Sequence, residues 1–436
     1  MMRYPESMAL PEVESRSNRF LSWMAVFAIG SFFIGYVVTP WAYDFGPAFL
    51  LALTFLSLGF QWGQVRDRLD GESLRFLGAL GFYFVSQVLI LLFHGEDLSE
   101  FDLSFRYLAA GLVLLFLLVN PISAAQLFLF VGIGGLVTGA YALYSASVQD
   151  TLRLQTFDNP IHFGNGALAL SCLCLAGLIW GLRERRGALW VALMAVGLAG
   201  GVVASLLSGT RSGWVAFPVL VVLLFIVYRD RFSSRWRWLP WCVLVTVLLP
   251  ACFAQVDVVE MRMVTAGEQF TRYFEDGVSG TSVGLRLDMY KAGLTAFSEN
   301  PLVGIGPTGT EVTIDGLVQA GDIHPRVDRF RHLHNQYIDN MARYGLFGLV
   351  GYLVLLLIPF TLFLAKTRSS LPSVRALGLA GVLFVGLHGV VNLTQSMLER
   401  NIGVMMFAFV VVFLWAALKR EERIADESDS PVTVAD

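Results

Sequence analysis

Between residues 20 and 418 the apolar residues come in long runs, broken by short clusters of arginine, glycine, proline and acidic residues. A run of about 18 to 22 apolar residues crosses roughly 30 Å of hydrocarbon as a helix, since only a helix or a closed barrel satisfies its backbone groups in lipid. The pattern predicts spans at roughly 20–39, 45–63, 74–94, 105–119, 122–147, 163–182, 187–207, 213–228, 237–255, 345–366, 375–394 and 401–418. The expected fold is an all-α polytopic membrane protein of about 12 transmembrane helices. Residues 1–255 would hold nine spans, 256–344 one large loop, 345–418 three more spans and 419–436 a tail. A β-barrel is excluded, because its strands alternate polar and apolar residues.

Composition agrees, with 56% hydrophobic and 15% charged residues, and the net charge of −3 carries less than the distribution of charge. The first span lies too far from a small-residue cleavage site to read as a removed signal peptide, so it is expected to stay as an anchor. The tail after Arg423, rich in Glu, Asp and Ser, is expected to be disordered. Cys172 and Cys174 fall in the sixth span and Cys242 and Cys252 in the ninth, where they read as small packing residues rather than a zinc site.

Lysine and arginine set the orientation. With a cytoplasmic N-terminus, segments on the cytoplasmic side hold 19 of them, and the short opposite loops hold only Arg106, Arg153, Arg211 and Arg400. That bias puts both termini in the cytoplasm and leaves 256–343 as one long outer segment, acidic on balance with eight basic and twelve acidic residues. A connection of that length is expected to contain helices and to contribute to a site.

Three outer elements carry candidate chemistry. In S-G-T-R-S-G, Arg211 sits in a turn of small residues at the start of the eighth span, where free N–H groups and a positive helix end favour an anion. In 283–297 the pattern predicts an amphipathic helix with Leu285, Met289 and Leu294 near one face, Arg286 in its first turn and Tyr290 a turn later. Arginine's planar fork suits phosphate oxygens, and a salt bridge from Arg286 to Asp288 or Glu268 is the plainer alternative. In H-L-H-N-Q-Y-I-D-N-M-A-R-Y-G-L-F-G-L, a helix beginning near Arg331 would line up His334, Ile338 and Met341, with Arg331, Asn335 and Asp339 on an adjacent stripe. His334 is a candidate general base, with His324 and His332 competing for that role. Three histidines could also form a zinc site, but H-x-H lacks an acidic or thiol partner at helical spacing.

These elements, together with D-N-P-I-H-F-G-N-G-A-L at 158–168 and N-P-L-V-G-I-G-P at 300–307, resemble the bacterial O-antigen ligase and polymerase superfamily. The resemblance covers the span count, the place of the large loop and motifs from about 158 to 350, and H-N-x-Y leading to G-L-x-G is its most specific part. It implies a membrane-embedded glycosyltransferase of the C type in the bacterial inner membrane, with its active site on the periplasmic face. The donor would be an undecaprenyl-diphosphate-linked glycan and the acceptor a sugar hydroxyl of lipid A-core. The reaction would be inverting, with no metal, no cofactor and no nucleic acid. By this resemblance His334 matches the family's essential histidine, and Arg211 and Arg286 match its two essential arginines. Tyr290, Asn335, His332 and Arg331 are supporting candidates, and Arg400 in M-L-E-R-N is a further diphosphate contact or an interfacial anchor paired to Glu399.

Within the superfamily a repeat-unit polymerase and an O-linked protein oligosaccharyltransferase share the donor and differ in acceptor. The short cytoplasmic tail favours the ligase. A transporter or flippase would need ionisable residues and repeated broken helices inside the bilayer, whereas polar residues within the spans are few: Gln87, Gln126, His388 and Asn392. A metal-dependent C-type enzyme would draw on acidic outer loops, of which H-G-E-D-L-S-E-F-D is the candidate here.

Overall fold

A computed structural model describes residues 16–148, 154, 156–157, 159–228, 256–330 and 332–429. Among these the regular structure is helical: α1 Arg16–Gly35, α2 Ala42–Arg68, α3 Gly71–His94, α4 Asp102–Val119, α5 Ala124–Val148, α6 Pro160–Arg183, α7 Ala188–Leu207, α8 Arg211–Tyr228, α9 Val256–Glu275, α10 Ser282–Glu299, α11 Gly306–Ala320, α12 Gln336–Lys366, α13 Pro372–Val391 and α14 Asn401–Asp429. Ten of them, α1–α7 and α12–α14, are long and apolar enough to cross a membrane. The chain is an all-α, multi-pass membrane protein. The eighth expected span coincides with α8, whose apolar stretch is Pro218–Val227. The ninth, with Cys242 and Cys252, lies outside the described residues.

Helices α6 and α14 form the centre and are almost wholly buried, whereas α2, α3 and α7 bury one face and leave the other apolar. Phe55, Leu56 and Phe93 are exposed on such faces, a surface that suits lipid rather than water. Small residues bring α5 and α7 into backbone contact: a Cβ on Gly139 would lie 2.5 Å from Gly200 Cα, and one on Gly135 would lie 2.6 Å from Gly197 O. The polar groups expected inside the spans find partners within or between helices. Ser104 donates to Gln87 at 2.8 Å, His388 Nδ1 lies 2.9 Å from Phe384 O, and Asn392 donates to Tyr352 at 2.8 Å. Cys172 and Cys174 are buried and free in α6.

The two ends of the bundle differ. At one, Lys366 pairs with Glu72 at 2.6 Å and Glu422 at 2.7 Å, Lys419 pairs with Asp70 at 2.7 Å, and Arg68 donates to Val119 O at 2.7 Å. At the other, α10 and α11 pack a small apolar core of Leu285, Met289, Ala292, Ala296, Ile314 and Val327 against the start of α12. Leu294, expected on the buried face of α10, is 50% exposed. At about 100° per residue it stands opposite Leu285, while Met289, Ala292 and Ala296 return to the buried side.

Two devices fix the start of α12. Gly345 bends the helix at φ 64°, ψ −159°, and the N-P-L-V-G turn fills the break: Leu346 N donates to Pro301 O at 2.8 Å, Phe347 N to Leu302 O at 3.2 Å and Ile305 N to Ala342 O at 3.1 Å. Backbone groups freed by the bend are therefore satisfied by neighbouring backbone, as membrane depth requires. The second device is a buried ionic cluster. Arg343 lies 2.7 Å from Glu399 and 3.5 Å from Asp339, and Asp339 also accepts from Leu333 N and from the Ser396 hydroxyl. Gln336 bridges Glu399 and Leu398 N, and Gln336 N donates to Asn392 O. The segment 392–400 between α13 and α14 is thus bound to the first turns of α12.

Gly345→Ala is expected to destabilise the protein by about 1–3 kcal/mol or more, because a Cβ there meets both an unfavourable φ and the Leu302 carbonyl carbon at 2.5 Å. Arg343→Met, which leaves two buried carboxylates uncompensated, is expected to cost about 3–5 kcal/mol. Thermal unfolding of the purified variants in detergent measures both.

Candidate active site

The site is assembled from four parts of the chain, the first of them a unit of two separated stretches. Asn159 caps α6 by accepting from Ile161 N at 2.9 Å, and Pro160 occupies the first turn, where its missing N–H costs nothing. Against this helix start lies the turn that ends α7. Gly209 takes φ 66°, Thr210 donates its hydroxyl to Pro160 O at 3.1 Å, and Ser212 donates to Asn165 at 2.9 Å. The N-P-I-H-F-G-N and S-G-T-R-S-G elements therefore form one unit, in which Arg211 is the first residue of α8. The side chain of Arg211 lies outside the described residues.

Helix α10 is capped by Thr281, whose hydroxyl accepts from Gly284 N at 3.1 Å. Asp288 is not the partner of Arg286. It is buried, accepting from the Tyr273 hydroxyl at 2.8 Å and His324 N at 2.8 Å, which pins α9 and the 324 turn onto α10. Arg286 is half-buried, and among the described residues no carboxylate lies within ion-pair distance of it.

The third stretch corrects the sequence-based expectation. Helix α12 begins at Gln336, not near Arg331, because Asn335 caps it by accepting from Tyr337 N at 3.0 Å and Ile338 N at 3.2 Å. His334 therefore stands before the helix, not on a stripe with Ile338 and Met341, and its backbone is left-handed at φ 52°. A non-glycine residue in that region is held by its surroundings. Tyr290 reaches toward His334 O and Leu393 O at 3.5 and 3.4 Å, and Asn335 donates to Leu393 O at 3.0 Å. Both residues brace the histidine segment. Arg331 lies outside the described residues.

These pieces enclose a cavity of about 460 Å³ whose wall includes Gly209, Thr210 and Ser212, Ser282, Leu285 and Arg286, Arg326 and Phe330, His334, and Thr394 and Gln395. The cavity thus joins Arg286, His334 and the N-terminal turn of α8, which lie far apart in sequence. His332 is buried beside His334, with ring centroids 4.4 Å apart, and does not form part of the wall. Arg400 is exposed and outside the wall, though close enough to act on both histidines electrostatically. The expected partner of Arg400, Glu399, is engaged by Arg343. His324 lines a separate groove with Tyr273 and Asp288. Arg326, Thr394 and Gln395 were not singled out from the sequence. Gln395 could have been sought as a polar residue in the outer turn N-L-T-Q-S.

Electrostatics favour a neutral imidazole. Burial lowers the pKa of His334 below its ordinary 6.5, a hydrogen bond to Gln395 works in the opposite direction, and Arg286 and Arg400 lower it further. Burial, then His334 and Arg400, hold His332 down at about 3. The wall thus combines guanidinium groups and a helix start, which suit an anion, with an uncharged histidine able to accept a proton.

Residues 198–353 match the O-antigen ligase family. An uncharacterized protein of Haemophilus influenzae (strain ATCC 51907 / DSM 11121 / KW20 / Rd) is 23% identical over 402 residues, covering 91% of this chain and 99% of the relative. An O-antigen ligase of Escherichia coli (strain K12) is 26% identical over 215 residues, 48% of each chain. The matched segment holds most of the cavity wall, from the Gly209–Ser212 turn through Arg286 on α10 to Arg326, Phe330 and His334 ahead of α12. Over this segment the chain is similar to the O-antigen ligase family.

Proposed function

We propose that this protein is an O-antigen ligase that transfers a glycan from undecaprenyl diphosphate to a sugar hydroxyl of lipid A-core at the periplasmic face of the inner membrane. The observation that carries this reading is the single cavity shared by Arg286, the N-terminal turn of α8 and His334. The name of the Escherichia coli relative favours a ligase over a polymerase or a protein oligosaccharyltransferase.

The residues divide the work as follows. Breaking the glycosyl–diphosphate bond places negative charge on the leaving phosphate. Fixed donors aimed at that charge lower the barrier, because they need no reorganisation as it develops. Arg286 and Arg326 on the wall, Arg211 at the head of α8 and the free N–H groups of that helix start would hold the diphosphate. Arg400 would add long-range positive charge. His334 would take the proton of the acceptor hydroxyl as its oxygen attacks the anomeric carbon from the face opposite the diphosphate, which inverts that centre. The proton moves to the imidazole, the new glycosidic bond forms at the acceptor oxygen, and undecaprenyl diphosphate leaves. In this reading the guanidinium groups supply the charge that a divalent ion supplies elsewhere, so the reaction is metal-independent.

The test is purified protein in detergent or nanodiscs with a lipid-linked glycan, offered lipid A-core or a second lipid-linked unit, with and without chelator. Glycosylated lipid A-core is expected in both conditions. Extended lipid-linked glycan alone would make the protein a polymerase, and loss of activity in chelator would refute the metal-independent route. His334→Ala is expected to fold normally and to lose about 10²–10⁴ in rate, the range a general base contributes. The acid limb of the wild-type rate profile should fall below pH 6.5, since a histidine with a lowered pKa stays unprotonated as pH drops past that value and is lost only below it. A limb at or above pH 6.5 would count against His334 as the base.

A further inference from the structure

Gln395 lies in the connection between α13 and α14, remote in sequence from the elements that carry Arg211, Arg286 and His334, yet it is part of the cavity wall beside His334. Gln395 Oε1 stands 2.6 Å from His334 Nδ1. An amide oxygen only accepts, so Nδ1 carries the proton and Nε2 keeps its lone pair. Gln395 is 0% exposed, and among the described residues its Nε2 has no hydrogen-bond partner. Leaving a buried donor unmade is costly, and a residue needed only for packing would be apolar.

Gln395 is also not needed to hold its own segment. Asn392 accepts from Met397 N at 3.2 Å, Ser396 bonds Asp339, Glu399 pairs with Arg343, and Leu393 O accepts from Asn335. The amide remains for the histidine and the cavity.

We propose that Gln395 is a positioning residue for the transfer reaction: its carbonyl fixes His334 in the Nδ1-protonated tautomer, so that Nε2 takes the proton, and its NH2 donates to an oxygen of the bound acceptor sugar. This rests on the proposed function, in which His334 is the base. Among the described residues the charged and titratable groups facing His334 are Arg286 and Tyr290 from α10, Arg326 on the wall, Arg400 ahead of α14 and His332. Gln395 is the neutral acceptor set against them.

The discriminating variant is Gln395→Glu in the full chain, assayed with lipid-linked glycan and lipid A-core across pH. A carboxylate keeps the acceptor atom, adds a charge that favours imidazolium and removes the NH2. The acid limb should therefore move up by about one unit or more relative to wild type, and KM for the acceptor should rise. Gln395→Met, uncharged and similar in shape, should lower kcat about 10- to 100-fold, a share of the roughly 10²–10⁴ a general base contributes. It also carries the test if the glutamate disturbs folding, which thermal unfolding would report. An acid limb unmoved in Gln395→Glu, a folded Gln395→Glu protein inactive at every pH, or wild-type kcat in Gln395→Met would overturn the proposal. His334→Ala run alongside separates the two readings. No transfer to lipid A-core by the wild-type protein removes the proposed function, and wild-type transfer by His334→Ala removes the base and the role of Gln395 with it, whereas an inactive His334→Ala with an unshifted Gln395→Glu limb removes only the role of Gln395.

Discussion

Burying Asp339, Arg343 and Glu399 strips three charges of water, and only their mutual pairing and hydrogen bonds offset that cost. The geometry that satisfies them ties the head of α12 to the connection between α13 and α14. His334 precedes that head and Gln395 lies in that connection, so the distance between them follows from the ionic cluster. A single buried arrangement sets two wall residues at once.

The remainder of the site is arranged around this fixed corner. Gly345 lets the first turns of α12 leave the axis of the membrane-spanning part, and the Leu302–Gly304 turn occupies the break. The same turn follows α10 directly, so the helix bearing Arg286 is delivered against His334 by backbone hydrogen bonds rather than by a flexible tether. On the other side, the starts of α6 and α8 are joined through Thr210 and Ser212. The cavity is therefore bounded by helix ends, where orphan backbone groups and left-handed residues are found, while the long apolar helices below supply rigidity and a lipid-compatible surface.

The membrane-spanning scaffold was legible because burial in lipid demands long apolar runs, and ten of the expected twelve spans appear as helices of sufficient length. The small-residue turn before α8 was legible as well, and its Gly209 adopts a left-handed backbone that other residues avoid, whereas the bend at Gly345 was not read from the sequence. Less legible was the start of α12. The apolar and polar spacing from Arg331 onward fits a helix, but Asn335 takes the capping role and leaves His334 outside it. Periodicity reports which faces are apolar and is insensitive to where the first turn closes. The misplacement of Leu294 has a related cause, since one apolar residue on an amphipathic helix is weak evidence for a face when small residues such as Ala292 and Ala296 do the packing.

By itself the sequence determined the class of molecule, the helices that cross the bilayer and the residue types that could handle an anion and a proton. Hydrophobic length and side-chain chemistry are properties of a segment and need no partner. Only the tertiary structure decided which of those residues share a cavity. It placed Arg286, His334 and the head of α8 on one wall, moved Asn335 and Tyr290 to bracing roles, left Arg400 at the rim of the electrostatic field, and added Arg326 and Gln395. Contacts across more than a hundred residues depend on how helices pack and bend, and no local pattern encodes them.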